Sequence, residues 1–132
     1  MKAKKEVKKK SEWDSKYIKR IGLVFLIVFI ATFIDWLAHS SSPAFYVPFE
    51  YFYNKVVFAF LWGFAALWFS KKVTNLTWKA FIFSGLIAFV LQTKYFFQGY
   101  DLYFVFLFMF LHFAMFLAPA IIIFNKYPEI FR

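Results

Sequence analysis

Four long apolar stretches dominate this sequence and limit the folds open to it. They cover residues 21–38, 52–69, 80–97 and 102–124, and the last contains no Asp, Glu, Lys or Arg. A helix of about 20 apolar residues crosses the hydrocarbon core of a bilayer. A soluble domain of 132 residues could not cover 23 Phe side chains with a polar surface. The sequence therefore predicts an all-α fold, a four-helix transmembrane bundle.

The basic residues between the stretches predict the direction in which each helix crosses. Fourteen lie on one side, and they are Lys2, Lys4, Lys5, Lys8, Lys9, Lys10, Lys16, Lys19, Arg20, Lys71, Lys72, Lys79, Lys126 and Arg132. The two loops on the other side hold only Lys55 and Lys94. Because cytoplasmic loops carry the excess of Lys and Arg, both termini are expected in the cytoplasm (N-in/C-in). The interpretation is an integral protein of the cytoplasmic membrane.

This direction divides the chain into three parts. We expect a basic juxtamembrane segment at 1–20, a transmembrane domain at 21–124 and a short cytoplasmic tail at 125–132. The first apolar stretch is too long for a cleaved signal peptide. Ser11 and Asp14 fit a capping box that would start the first helix near Glu12. The predicted membrane-interface anchors are Trp13, Tyr17, Lys19 and Arg20.

Asp35 and His39 interrupt the end of the first apolar stretch, one helical turn apart. Charged groups inside a span are costly and usually face protein or water. An acid and an imidazole on one helix face can ligate a metal, relay a proton or form an ion pair. Alternatively, Asp35 reaches the headgroups, or it pairs with Lys94 or Lys55 and links two helices. A metal would need further ligands, for which the candidates on the same side are Glu50 and Asp101.

His112 lies near the middle of the fourth stretch, with Met109 and Met115 three residues to either side. Imidazole and thioether ligands suit Cu(I), so this group is a second candidate metal site. Haem would usually require another axial histidine. The alternative is a histidine that hydrogen-bonds between helices, beside two methionines that fill gaps in the packing.

The sequence contains no motif for several other classes of chemistry. The absence of cysteine excludes disulfides and thiolate sites. The chain contains no nucleophile elbow, zinc-protease motif, P-loop or dinucleotide fingerprint. The basic residues lie at predicted membrane edges, so no nucleic-acid partner is expected. Catalytic activity of its own is therefore not predicted for this chain.

These observations favour an auxiliary, non-catalytic subunit of a larger membrane complex, for example a membrane oxidoreductase or monooxygenase. Nearly the whole chain is apolar helix, and its exterior would be unusually aromatic. The expected partners are the lipid bilayer and other membrane subunits. The alternative is a metal-binding or proton-coupled membrane enzyme or transporter, with its site on Asp35 and His39 and copper or another transition metal as cofactor.

Overall fold

The chain is helical over nearly all of its described length. A computed structural model describes the backbone of residues 2–132 and the side chains of residues 15–44 and 46–132. The helices are α1 (Lys2–Ser40), a short 3-10 helix (Pro43–Phe45), α2 (Phe49–Phe69), α3 (Leu76–Phe97), α4 (Leu102–Lys126) and α5 (Pro128–Phe131). Four of them are long and apolar enough to cross a membrane, counting Ser15–Ser40 of α1. The all-helical prediction with four such helices is confirmed.

Three helices begin earlier than the apolar pattern predicts. The expected start of the first helix near Glu12 is wrong, because α1 begins at Lys2. Lys and Glu are good helix formers, so the basic segment can continue the apolar helix without a break. Similarly, α2 starts at Phe49 and α3 at Leu76. Lys55 and Lys94, which count with the loops in the comparison of charges, both lie inside helices, near the start of α2 and the end of α3.

Local capping explains where α3 and α4 begin. The Asn75 side chain accepts a hydrogen bond from the Trp78 backbone N–H at 3.1 Å. The Asp101 carboxylate accepts one from the Tyr103 N–H at 2.8 Å. Side chains of these two types satisfy backbone donors that the first turn of a helix leaves free. Gly99 has a φ of +77°, which a residue without Cβ adopts readily, and this lets the chain turn sharply between α3 and α4.

Each of the four long helices packs against two of the others. The most extensive contact joins α3 to α4, followed by α2 with α3, and α1 touches both α2 and α4. Gly63 of α2 allows a close approach, since a Cβ there would lie 2.9 Å from the Phe83 ring of α3. Lipid is as apolar as these side chains, so van der Waals packing of this kind supports helix association.

Candidate functional site: a buried polar cluster

α1 carries Asp35 into the interior on its buried stripe. The stripe includes Val24, Ile27, Val28 and Ala31, which are completely buried. Spacings of three and four residues place side chains on one helix face, and Asp35 follows Ala31 by four. Asp35 is accordingly only 4% exposed. One interpretation of the sequence has the Asp35 carboxylate extending to the headgroups. In the structure the carboxylate is instead enclosed between the helices.

Lys55 reaches Asp35 from the neighbouring helix α2. Its Nζ lies 2.8 Å from Asp35 Oδ2, and Lys55 is only 3% exposed. The other lysine considered, Lys94, is exposed and forms no ion pair within the described part of the chain. The contact is therefore an ion pair between two helices, which is one of the alternatives that the sequence predicts. The partner of Asp35 is Lys55 and not Lys94.

Two aromatic rings flank the ammonium of this ion pair. Neither Lys55 Nζ nor Asp35 Oδ2 forms a well-aligned hydrogen bond with a described protein group. The ammonium instead lies 5.8 Å from the centre of the Tyr51 ring and 5.9 Å from that of Phe116. Charge attraction and the faces of two rings thus hold the ammonium in place. Each charge depends on the other, because a buried charge without its partner is strongly unfavourable.

His112 extends the cluster to α3 and α4. Its Nε2 lies 3.9 Å from Asp35 Oδ1 and 3.4 Å from the Tyr51 hydroxyl. Its Nδ1 lies 2.9 Å from Gln92 Nε2 and 2.8 Å from the Phe108 carbonyl oxygen. All four long helices therefore contribute to the polar cluster, which we define as Asp35, His39, Tyr51, Lys55, Gln92 and His112.

The His112 ring has two alternative hydrogen-bonding arrangements. With its proton on Nδ1, it donates to the Phe108 carbonyl, and Nε2 is free to accept from the Tyr51 hydroxyl. With its proton on Nε2, Nδ1 accepts from the Gln92 amide, and the Nε2–H lies on the side of Asp35. One neutral nitrogen cannot donate to a carbonyl and accept from an amide at once. The surroundings thus offer the ring a partner in either tautomer.

His39 occupies the outer edge of the polar cluster. Its Nε2 lies 3.8 Å from Asp35 Oδ1, so this oxygen stands between the imidazoles of His39 and His112. Both distances exceed that of a hydrogen bond. The His39 ring also meets the edges of Tyr51 and Phe52, with centroids 5.5 and 5.9 Å apart. The predicted pair of Asp35 and His39 is thus close in space, but Lys55 is the nearer partner of the acid.

The proposed further ligands do not join this site. Glu50 is exposed, and Asp101 is used to cap α4. Among the residues whose side chains are described, no group of three or more His, Cys, Asp or Glu could hold a metal ion. The Lys55 ammonium supplies a positive charge beside Asp35. The metal site on Asp35 and His39 finds no support here and stays a prediction.

The methionines beside His112 are partly buried. Met115 packs against the apolar core, and Met109 is half-buried on the same helix. The polar contacts of His112 go to Gln92, Tyr51 and the backbone of α4, as the interhelical alternative predicts. Copper ligation by Met109, His112 and Met115 likewise stays a prediction.

Three of the four predicted interface anchors can be located. Tyr17 and Lys19 are exposed, while Arg20 is half-buried and its guanidinium donates to the Ile130 carbonyl. The side chain of Trp13 lies outside the described residues. Arg20 thus has a structural contact in addition to any role at the membrane interface.

Sequence reasoning missed Tyr51 and Gln92 as members of the polar cluster, and it gave Lys55 only as one of two alternative partners for Asp35. A signal for Lys55 was present, because it precedes Ala59 and Gly63 by four and eight residues on the small-residue stripe of α2. Gln92 similarly follows Ala88 by four on the buried face of α3. Comparisons with family models, curated proteins and solved structures give no match for this chain.

Proposed function

We propose that this chain is an auxiliary, non-catalytic subunit of a larger membrane complex. The observation that carries the proposal is the division between interior and exterior. The polar cluster makes its contacts inside the bundle, whereas the outward faces of the helices carry large aromatic side chains. The polar groups are used to hold the helices together, and the exterior is left as the surface for interaction.

The outer face of α1 is the most regular part of that exterior. Phe25, Phe29, Phe33 and Trp36 form a continuous row in which neighbouring ring centroids are 6.3, 6.4 and 5.6 Å apart. Each is about half exposed. Aromatic side chains supply a large contact area with few rotatable bonds, so they bind partners at a low cost in entropy. This row, the α1 aromatic row, is the proposed contact surface for another membrane subunit.

The proposal includes an orientation. The strong bias of basic residues toward one side supports an N-in/C-in protein of the cytoplasmic membrane. A membrane oxidoreductase or monooxygenase is the kind of host complex that we propose. A cleft of about 190 Å³ beside His39 is smaller than the roughly 300–1,000 Å³ of small-molecule sites, which favours interaction over catalysis there.

The test compares two pairs of substitutions of equal size. Phe29→Leu with Phe33→Leu removes two rings of the α1 aromatic row and keeps the surface apolar. Phe106→Leu with Phe110→Leu does the same on the exposed face of α4. The chain is purified from its native membrane in mild detergent, and co-purifying chains are identified by mass spectrometry. We expect constant partners with the wild type and the α4 control, and at least a tenfold loss of them with the α1 variant.

Two results would contradict the proposal. One is migration of the wild type as a lone chain of 15.9 kDa at every detergent concentration. The other is an equal loss of partners in both variants, which would show that the α1 aromatic row has no special part in the contact.

A proton-coupled function is the second candidate, favoured by the two arrangements of His112. Its Nε2 faces both Tyr51 and Asp35, so a proton could pass between ring and carboxylate with small movements. The test is proton flux into vesicles containing the wild type, Asp35→Asn or His39→Ala, with metal content measured in the same samples. Flux or bound metal that is lost in these variants would support the alternative. No flux and no metal in the wild type would eliminate it.

A further inference from the structure

Basic side chains gather around a small cavity at the end of the bundle opposite the polar cluster. The cavity has a volume of about 70 Å³. Its lining residues come from α1, from the end of α2 with the turn that follows it, and from α3 and the chain after α4. They are Arg20, Leu67, Lys71, Lys79, Phe131 and Arg132. Four of these six carry a positive charge, and we call the site the basic cavity.

Two of the four cations are held in place by backbone carbonyls. The Arg20 guanidinium donates from Nε to the Ile130 carbonyl oxygen at 3.0 Å. The Lys79 ammonium, which is buried, donates to the carbonyl of Phe131. The Ile130 carbonyl accepts from both Nε and Nη2 of Arg20, and the Phe131 carbonyl accepts from the Lys79 ammonium, but a carbonyl carries no net negative charge. Both side chains are therefore fixed at the basic cavity without being neutralised.

The basic cavity has no acidic partner among the described side chains. None of the ion pairs in that part of the chain includes Arg20, Lys71, Lys79 or Arg132. Glu129, which is close in sequence, is exposed and pairs with none of them. Like charges gathered at one place repel each other, and a bound anion would relieve this repulsion.

Two tryptophans indicate the depth of the basic cavity. Trp68 and Trp78 are both largely exposed on the helices that flank it. The Lys71 ammonium lies 5.0 Å from the centre of the Trp68 ring. Exposed tryptophans are enriched where the hydrocarbon meets the headgroups, so the basic cavity lies at the level of lipid phosphates.

We propose that the basic cavity binds the phosphate of an anionic phospholipid. Arg20 and Lys79 form its fixed wall, and the exposed Lys71 and Arg132 close on the phosphate oxygens. A guanidinium matches a phosphate with two parallel hydrogen bonds, and basic pockets between membrane helices bind anionic headgroups. Free phosphate offers the same chemistry, so the experiment separates the two sources. The site does not depend on the proposed role as a subunit.

The experiment uses the delipidated full chain in a neutral detergent. Native mass spectrometry measures the binding of phosphatidylglycerol and of phosphatidylcholine. The test variant is Lys71→Gln with Arg132→Gln, which removes two cavity cations that hold no backbone group of the bundle. The matched control is Lys72→Gln with Lys126→Gln, which removes two exposed cations outside the basic cavity. Thermal unfolding of both variants verifies that they fold like the wild type.

We expect one tightly bound phosphatidylglycerol per wild-type chain and much weaker binding of phosphatidylcholine. The test variant should bind phosphatidylglycerol about tenfold more weakly, and the control within about twofold of the wild type. Displacement of the lipid by millimolar inorganic phosphate would support the same site with free phosphate as its ligand. Equal weakening in test and control variants would overturn the proposal, because the attraction would then be diffuse. Absence of bound phosphatidylglycerol in the wild type would overturn it as well.

Discussion

The polar cluster and the basic cavity place charges inside the same bundle in opposite ways. In the polar cluster, Lys55 meets a carboxylate at 2.8 Å, so the two charges compensate each other. In the basic cavity, Lys79 also has little exposed surface, but it lies at the end of the bundle and its described partner is a neutral backbone carbonyl. One buried lysine is therefore part of a closed pair, while the other leaves its positive charge uncompensated.

The difference indicates what each end of the molecule can do. A compensated pair stabilises an arrangement of helices, because the loss of either partner strands the other in an apolar interior. A group of cations without a counter-charge is less unfavourable near the headgroups than in the apolar interior. Such a group can also attract an anion from outside the protein. We therefore assign an internal, structural role to the Asp35–Lys55 pair and an external, binding role to the basic cavity.

The strongest way to break this comparison is to remove the compensating charge. Lys55→Met leaves Asp35 buried without a partner, and the free energy of unfolding should fall by about 3–5 kcal/mol. The measurement is reversible unfolding in mixed detergent micelles. Lys94→Met, on an exposed lysine, should change stability by less than about 0.5 kcal/mol.

A double variant sharpens the same test. Asp35→Leu combined with Lys55→Met removes both charges and should be more stable than Lys55→Met alone, since no charge is then stranded. The double variant is compared with Asp35→Leu and Lys55→Met measured separately. If its loss of stability equals the sum of the losses in these two single variants, the charges do not compensate each other, and the assigned role of the pair is wrong.

The packing between the two regions gives the next largest effect. Gly63→Ala would place a Cβ 2.9 Å from the fully buried Phe83 ring, which has little room to move. Overpacking of this kind costs about 1–3 kcal/mol. Gly22→Ala is the matched control, because a Cβ there meets nothing within 4 Å. A loss of stability in thermal unfolding for Gly22→Ala but not for Gly63→Ala would contradict this description of the core.

A smaller effect is expected when the hydrogen bond between Lys79 and the chain after α4 is removed. Lys79→Met removes the charged donor to the Phe131 carbonyl, a hydrogen bond worth about 1.5 kcal/mol. Hydrogen exchange followed by mass spectrometry should show faster exchange in residues 128–132 and no change around Asp35. Lys72→Met should leave both regions unchanged. Faster exchange throughout the bundle would mean that Lys79, like Lys55, supports the whole fold.

The smallest expected effect concerns His112. His112→Leu removes its contacts with Gln92 and Tyr51, and hydrogen bonds between membrane helices contribute about 1 kcal/mol. Met109→Leu should have almost no effect on unfolding if the methionines only fill space. Copper content measured in the same preparations provides the decisive check. Copper that is bound by the wild type and lost in both variants would show that this part of α4 is a metal site.

The sequence allowed the helices to be predicted well and the polar cluster only in part. The periodicity of α1 placed Asp35 and His39 on one face, and the structure has them 3.8 Å apart. Lys55 counts with the loop charges in the sequence analysis, because a lysine near the edge of an apolar stretch resembles the end of a span. Its position on the small-residue stripe of α2 could have indicated burial, but burial alone would not have identified its partner.

Local features of the chain explain which properties the sequence determined by itself. An apolar run that is long enough to match the thickness of a bilayer predicts a spanning helix. The length of the run follows from the order of residues alone and needs no knowledge of tertiary contacts. The choice of Lys55 over Lys94, and the gathering of basic side chains around one cavity, were decided only by tertiary structure. Those contacts depend on the rotation of each helix about its axis and on which neighbours it packs against, and close approaches such as that of Gly63 to Phe83 determine both.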